Sequence, residues 1–240
     1  MKLRMSTVWM SVCLLVISLP ALSADQAFFR LLGFSVDGVY AAWKTGGVQD
    51  GSGFQWIEVE ILNTKSSLPE EGFRHVWSEY MDELPEAADI VSVGERIEDI
   101  YCAYGIDLGN TGNLLVYHPV TDLGVKGDTV VFCLVSYSPS YNSSEIILTL
   151  STLPVDMEQS YPDWFPSPVT PVLHVTEGGE EHLFFSEEEI PEPYRMNFDY
   201  SIAAVYSNPA DDNSLLVVLH STRPGFEGSD GRFRVVSGSI

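Results

Sequence analysis

The chain has 240 residues and carries 34 Asp and Glu against 12 Lys and Arg, a formal net charge of −22 at pH 7. An even field of that sign repels nucleic acid and anionic lipid surfaces, so neither is an expected partner. The length suits one domain or two small ones.

The first residues read as a targeting segment. Lys2 and Arg4 form a charged start, residues 8–19 an apolar stretch too short to span a bilayer comfortably, and Pro20 breaks it. Ala21-Leu22-Ser23-Ala24 supplies small residues for cleavage, after Ser23 or after Ala24; the second leaves the polar Asp25-Gln26 as the new start. Residues 1–24 are therefore expected to be a signal peptide and 25–240 a single domain, exported to the periplasm or secreted. Cys13 lies inside the apolar stretch and no cysteine stands directly after the cleavage zone, so no membrane anchor is expected after cleavage. Losing Lys2 and Arg4 and no acid takes the charge from −22 to −24. Such a surface favours solubility, or attracts divalent cations or a basic partner. Cys102 and Cys133 remain. They can pair in an oxidising compartment, closing a loop worth about 3–4 kcal/mol, or stay free. They are not C-x-x-C, so no redox or zinc motif is indicated.

Residues 28–62 alternate apolar runs with glycine turns. Ser35-Val36-Asp37-Gly38 marks one tight turn and Gln49-Asp50-Gly51-Ser52-Gly53 another, with β-type runs over 39–44 and 54–62. Ile57, Val59 and Ile61 share one face, and Trp56, Glu58 and Glu60 the other, the period of a half-buried strand. A one-residue slip would bury both glutamates, which sets the register. Residues 68–71, with Pro69 in a first turn, can start a short helix.

From 86 to 104, Ile90, Val93, Ile97, Ile100, Tyr101 and Tyr104 fall at helical spacing, with Gly105 as the cap. Cys102 lies off that stripe. Residues 114–118 predict a short strand. The run 129–135 (TVVFCLV) predicts a central strand buried on both faces. Residues 145–150 alternate. Five prolines in 153–171 argue against a central strand or helix there, and Tyr161, Trp164 and Phe165 between them either cap the core or form a docking loop for a protein or envelope partner. A hairpin around 177–180 pairs 171–175 with 182–185. Strands over 199–206, 215–219 and 232–236 complete a mainly β chain: an antiparallel sandwich or blade-like sheet with one amphipathic helix packed on it.

Two segments resemble a known family. Gly33-Phe34-Ser35-Val36-Asp37-Gly38 with Gln49-Asp50-Gly51-Ser52-Gly53-Phe54 is similar to the opening of the bacterial predicted secreted proteins called domain of unknown function 2259. Arg223-Pro224-Gly225-Phe226-Glu227-Gly228-Ser229-Asp230, then Arg232-Phe233, resembles that family's close, with Ser229 where proline is usual. The resemblance implies an exported protein with no assigned activity. The opening also resembles the F-S-P-D-G motif of WD40-like propeller blades, with Val36 in place of the proline.

No G-x-S-x-G, H-E-x-x-H, P-loop or dinucleotide motif occurs, and His75, His118, His174, His182 and His220 are scattered. Two constellations remain. Asp50-Gly51-Ser52-Gly53 can offer oxygens to Ca²⁺, or simply be a turn in which Asp50 bonds its own backbone. Arg223, Arg232 and Arg234 can neutralise carboxylates such as Asp37 or Asp50, tying the last strand to the opening unit, or form an anion site with the amides of 225–228. The favoured function is a non-catalytic binding or envelope-accessory protein. The alternatives are a hydrolase using carboxylates such as Asp50 or Glu227, and a calcium-stabilised module. No resident cofactor is indicated beyond that Ca²⁺.

Overall fold

The computed structural model describes residues 25–49, 51–77, 87–120, 127–134, 145–155, 166–187, 194–225 and 228–240. The expected leader (1–24), Asp50, Tyr161, Trp164, Phe165, Phe226 and Glu227 lie outside the described residues. Period-two alternation in the sequence becomes antiparallel strands throughout. The first sheet holds β1 (Phe28–Ser35), β2 (Tyr40–Val48), β3 (Gln55–Asn63), β4 (Leu68–Val76) and the short β5 (Ile106–Asp107), in the order β4-β3-β2-β1-β5. Between β4 and β5 runs the helix α1 (Ala87–Ala103). Next come β6 (Asn113–Tyr117), β7 (Thr129–Cys133), β8 (Glu145–Pro154), β9 (Val169–Glu177) and β10 (Glu180–Phe185). The last three are β11 (Asp199–Asn208), β12 (Asp211–Pro224) and β13 (Ser229–Ser239). β10-β9-β8-β7 is a meander, and β13-β12-β11-β6 is the remaining sheet.

That last sheet is the middle layer. On β12, Leu215, Val217 and Leu219 pack with Val130, Ile146, Leu148, Leu173 and Val175 of the β7–β10 sheet, while Leu216 and Val218 pack with Leu31, Phe34, Ala41, Trp43 and Leu62 of the first sheet. The alternation of a strand thus feeds two cores at once. The opposite face of the first sheet, through Leu32, Ala42, Val59 and Ile61, receives Ile100 and Tyr101 of α1. The order of layers is helix, sheet, sheet, sheet. No hydrophobic cluster of described residues joins the first sheet to the β7–β10 sheet, so the sheets stack rather than close into a ring.

Several expectations change. Residues 68–71 belong to β4, not a helix; Pro69 is tolerated because β4 is an edge strand. Pro171 sits inside β9 opposite Thr152, beyond the last β10 pairing at Leu173, where no neighbour needs its missing N–H. The run from Thr129 is an edge strand with Val131 and Cys133 exposed, and the strand buried on both faces is β12. α1 turns Ile100 inward but leaves Ile90 half exposed, and Gly105 ends it at φ 61°. Cys102 on α1 and Cys133 on β7 are both exposed and unbridged. They belong to the two outer layers of the stack, with two further sheet interfaces between them, so the optional disulfide does not form. None of the described helices is long and apolar enough to cross a membrane.

The first described residues meet the last strand. Gln26 bridges Gly231 in parallel, Ala27 N–H donates to the Gly231 carbonyl at 3.2 Å, and Gly231 N–H to the Asp25 carbonyl at 2.8 Å. Residues 25–27 therefore run along β13, the open edge of the middle sheet.

Candidate functional site

Where the first sheet faces that edge, the packing turns polar. Glu58 and Glu60 of β3 point the same way as Trp56 and Leu62, toward the middle sheet. The face expected to be open is covered, because the middle sheet lies over it. β4 and β13 bring arginines to the same place, and a turn closed by Asn197 N–H on the Tyr194 carbonyl (3.2 Å) adds Tyr194 and Asn197. The result is a cleft of about 50 Å³ bounded by Thr45, Glu58, Glu60 and Arg74 from one sheet and by Arg223, Arg232 and Phe233 from the other, with Tyr194 and Asn197. That space holds a few waters or one small polar group.

Two glutamates and three arginines divide into unequal pairs. Arg74 meets its cross-strand neighbour Glu58 at 3.3 Å. Arg232 donates to Asp25 Oδ2 at 2.5 Å and Asp230 Oδ2 at 3.0 Å. Two guanidiniums approach Trp56, Arg74 at 4.6 Å and Arg232 at 5.0 Å from the ring, and its indole N–H donates to Asp25 Oδ2 at 3.2 Å. Arg223, by contrast, has its nearest carboxylate among the described residues, Asp230, at 3.9 Å. Burial and the neighbouring Arg232 both draw its value down, as for a guanidinium short of counter-charge. Arg232 Nε and Asn197 Oδ1 are buried with no hydrogen-bond partner among the described residues.

Glu60 is the unusual acid. Trp43 Nε1–H donates to it at 3.0 Å and Tyr194 O–H at 3.2 Å. Burial first, then the charge of Glu58, pushes its carboxyl up to about 7, against the pull of those two hydrogen bonds. Protein surrounds the carboxyl on most sides, although part of the residue still meets the cleft. Next to it, Arg234 bonds Glu187 and lies 4.4 Å over the Tyr194 ring.

Arg232 and Arg234, expected to neutralise carboxylates, do so with Asp25, Asp230 and Glu187 rather than Asp37, while Asp50 lies outside the described residues. Asp37 is exposed in the β1–β2 turn, held by Ser35 Oγ–H and the Val39 N–H, which lower its value. Of the 225–228 amides expected to frame an anion site, that of Gly225 is spent on the Gly228 carbonyl at 2.7 Å, and those of 226 and 227 lie outside the described residues. At Gly225 a Cβ would stand 2.4 Å from Asp230 Oδ1, so glycine lets Asp230 fold back toward Arg223 and Arg232. Gly38 has φ 69°, and its carbonyl accepts from Asn208 Nδ2 and Thr64 Oγ1. Gly51 and Gly53 take positive φ in the β2–β3 turn. Among the described residues no three His, Cys, Asp or Glu gather as a metal set.

Asp25, Trp56, Glu58, Glu60, Arg74, Tyr194 and Asn197 were not singled out from sequence. The available signal was the alternation of Trp56, Glu58 and Glu60, but nothing local says that a second sheet covers that face. Residues 42–239 match the family DUF2259, described as predicted secreted protein. No curated protein and no solved structure matches the chain.

Proposed function

Because the chain belongs to the DUF2259 family of predicted secreted proteins, we propose that it works outside the cytoplasm as a non-catalytic binding protein, or envelope accessory, whose cleft takes a small anionic group. In this reading residues 1–24 are a leader and 25–240 one domain. One observation carries it: among the described residues, Arg223 faces the cleft with no carboxylate closer than 3.9 Å, next to the Nε of Arg232, which has no hydrogen-bond partner there. A guanidinium in that position gains most from an incoming oxyanion. The local donors act at contact distance, where the negative field of the whole chain is screened over about 8 Å at physiological salt. Titration calorimetry with sulfate tests this. Sulfate is expected to bind, and Arg223→Ala to weaken it at least tenfold while Arg223→Lys retains part. Absent binding, or binding indifferent to Arg223, overturns the proposal.

A second reading is favoured by Glu60 alone. A carboxyl titrating near 7 suits a general acid or base, which keeps a hydrolase in play, now at Glu60 rather than at Asp50 or Glu227. It predicts turnover of a chromogenic ester or glycoside that Glu60→Gln abolishes without loss of fold. The calcium proposal rests on Asp50; a melting temperature indifferent to Ca²⁺ and chelator removes it. The docking proposal rests on Tyr161, Trp164 and Phe165, and co-purification from the envelope fraction tests it.

A further inference from the structure

Asp25, the residue that follows the small-residue segment, is only 4% exposed, which is unusual for a carboxylate near a chain start. Every polar group it carries except one is engaged. Its Oδ2 accepts from Arg232 and from Trp56 Nε1, its carbonyl accepts from Arg232 Nη1 at 3.2 Å and from Gly231 N–H, and its own nitrogen lies 3.3 Å from Asp230 Oδ1. The remaining atom, Asp25 Oδ1, is buried without a partner. The charges here do not balance. Two buried carboxylates share one close guanidinium, with Arg223 a distant second at 3.9 Å. Burial, and then the charge of Asp25, push the Asp230 carboxyl up against the pull of Arg232. Among the described residues the cluster is one close cation short, and the Asp25 nitrogen already stands where one would help.

We infer that the leader is removed between Ala24 and Asp25 and that the α-ammonium so freed is a structural cation, buried against Asp230. A leader endopeptidase adds water across the Ala24–Asp25 peptide bond. The Ala24 carbonyl carbon takes the hydroxyl, and the Asp25 nitrogen takes the proton and, at neutral pH, a second one. A neutral amide donor thereby becomes an ammonium with three donors. One faces Asp230 Oδ1, 3.3 Å from the nitrogen. Cleavage precedes folding, since the bond on the N-terminal side of a residue this buried is closed to a protease once β13 has docked. The cut completes the junction between chain start and β13, so the processed chain is the more stable one. This inference rests on the export reading and is independent of what the cleft binds.

The test is to express the whole 240-residue precursor in an exporting bacterial host and determine the intact mass and N-terminal residue of the exported product. Asp25 is the expected first residue; a start at Ala24 or elsewhere overturns the inference. The mature protein is then acylated with an amine-reactive ester near neutral pH, where α-amines react ahead of lysines. Labelling of the Asp25 amine is expected to be at least tenfold slower in the folded protein than in urea, and equal rates overturn the burial. A mature chain extended by one N-terminal glycine is expected to melt several degrees lower. Asp230→Asn is expected to shrink that difference, because the ammonium then has no counter-charge to lose. An unchanged difference on the Asp230→Asn background assigns the effect to sterics and overturns the charge role.

Discussion

Glu60→Gln isolates the consequence of placing an acid between two sheets. The folded protein holds the Glu60 proton to about pH 7, while the ordinary value is 4.5. As pH rises through this window the unfolded chain releases the proton first, so the wild type loses stability with rising pH. The loss is complete once the folded carboxyl has also ionised. With about 1.4 kcal/mol per pKa unit, the wild type loses about 2.5 kcal/mol from this one group between about pH 5 and about pH 8. Water entering the cleft lowers the figure, which is therefore an upper one. Glutamine fills the same volume. Its oxygen accepts from Trp43 Nε1–H, and its amide donates to the Tyr194 hydroxyl, which turns from donor to acceptor, so the packing survives. Urea unfolding of both proteins at pH steps across the window is the assay. The stability difference, variant minus wild type, is expected to rise with pH by about 1–2.5 kcal/mol and to level off above about pH 8. Other titrating groups, Glu187 and Asp230 among them, cancel in the difference if they act independently. Parallel pH curves would refute the claim that Glu60 is held protonated near neutrality.

Arg232→Ala strands Asp25 as a buried carboxylate and is expected to cost about 3–5 kcal/mol, with Arg232→Lys costing less because charge remains while the fork to Asp25 and Asp230 is lost; a denaturation midpoint unchanged in the alanine variant refutes this. Gly38→Ala puts a side chain at φ 69° with its Cβ 2.5 Å from Asn208 Oδ1, so a loss of about 1–3 kcal/mol is expected. Gly72→Ala, where the nearest atom to a Cβ is 3.9 Å away, is expected to stay within about 0.5 kcal/mol and serves as the control. A polar maleimide added without reductant to the native chain lacking residues 1–24 is expected to modify both Cys102 and Cys133, read as two adducts by intact mass; protection of both until reduction would mean that they are bridged.

The strands were legible because period-two alternation is a local property, and so were the turns, since Gly51, Gly53, Gly178 and Gly179 all take the positive φ that their sequence contexts suggest. The helix was legible for the same reason, although Ile90 falls on its predicted apolar face and remains exposed. The cleft was half legible. Arg223, Arg232 and Arg234 stood out as a basic cluster in an acidic chain, but their partners could not be read. Asp25 lies over 200 residues from Arg232, and Glu60 lies 134 residues from Tyr194. Such pairs are fixed by which sheet covers which, and spacing along the chain carries no trace of that.

The same reasoning explains why the central strand was misassigned. TVVFC and LLVVL look alike in composition, yet the first is β7, with Val131 and Cys133 exposed, and the second lies in β12, buried on both sides. An apolar run can be buried on both faces only if a layer lies against each. The β7–β10 sheet has the middle sheet on one face and, among the described residues, no hydrophobic cluster on the other. The middle sheet has a neighbour on both. Composition therefore states how much burial a strand tolerates, and topology decides how much it receives. At β13 this rule gives the protein its polar site. The strand belongs to the doubly covered sheet, yet Arg232 and Arg234 occupy positions where a covered strand would ordinarily carry aliphatic residues. Enclosing two guanidiniums there is stable only if the covering layers supply acids and aromatic faces, and they do: Asp25 and Trp56 for Arg232, Glu187 and Tyr194 for Arg234. The cleft lies between these two sets, where, among the described residues, Glu60 and Arg223 are the ionisable groups left without a close opposite partner.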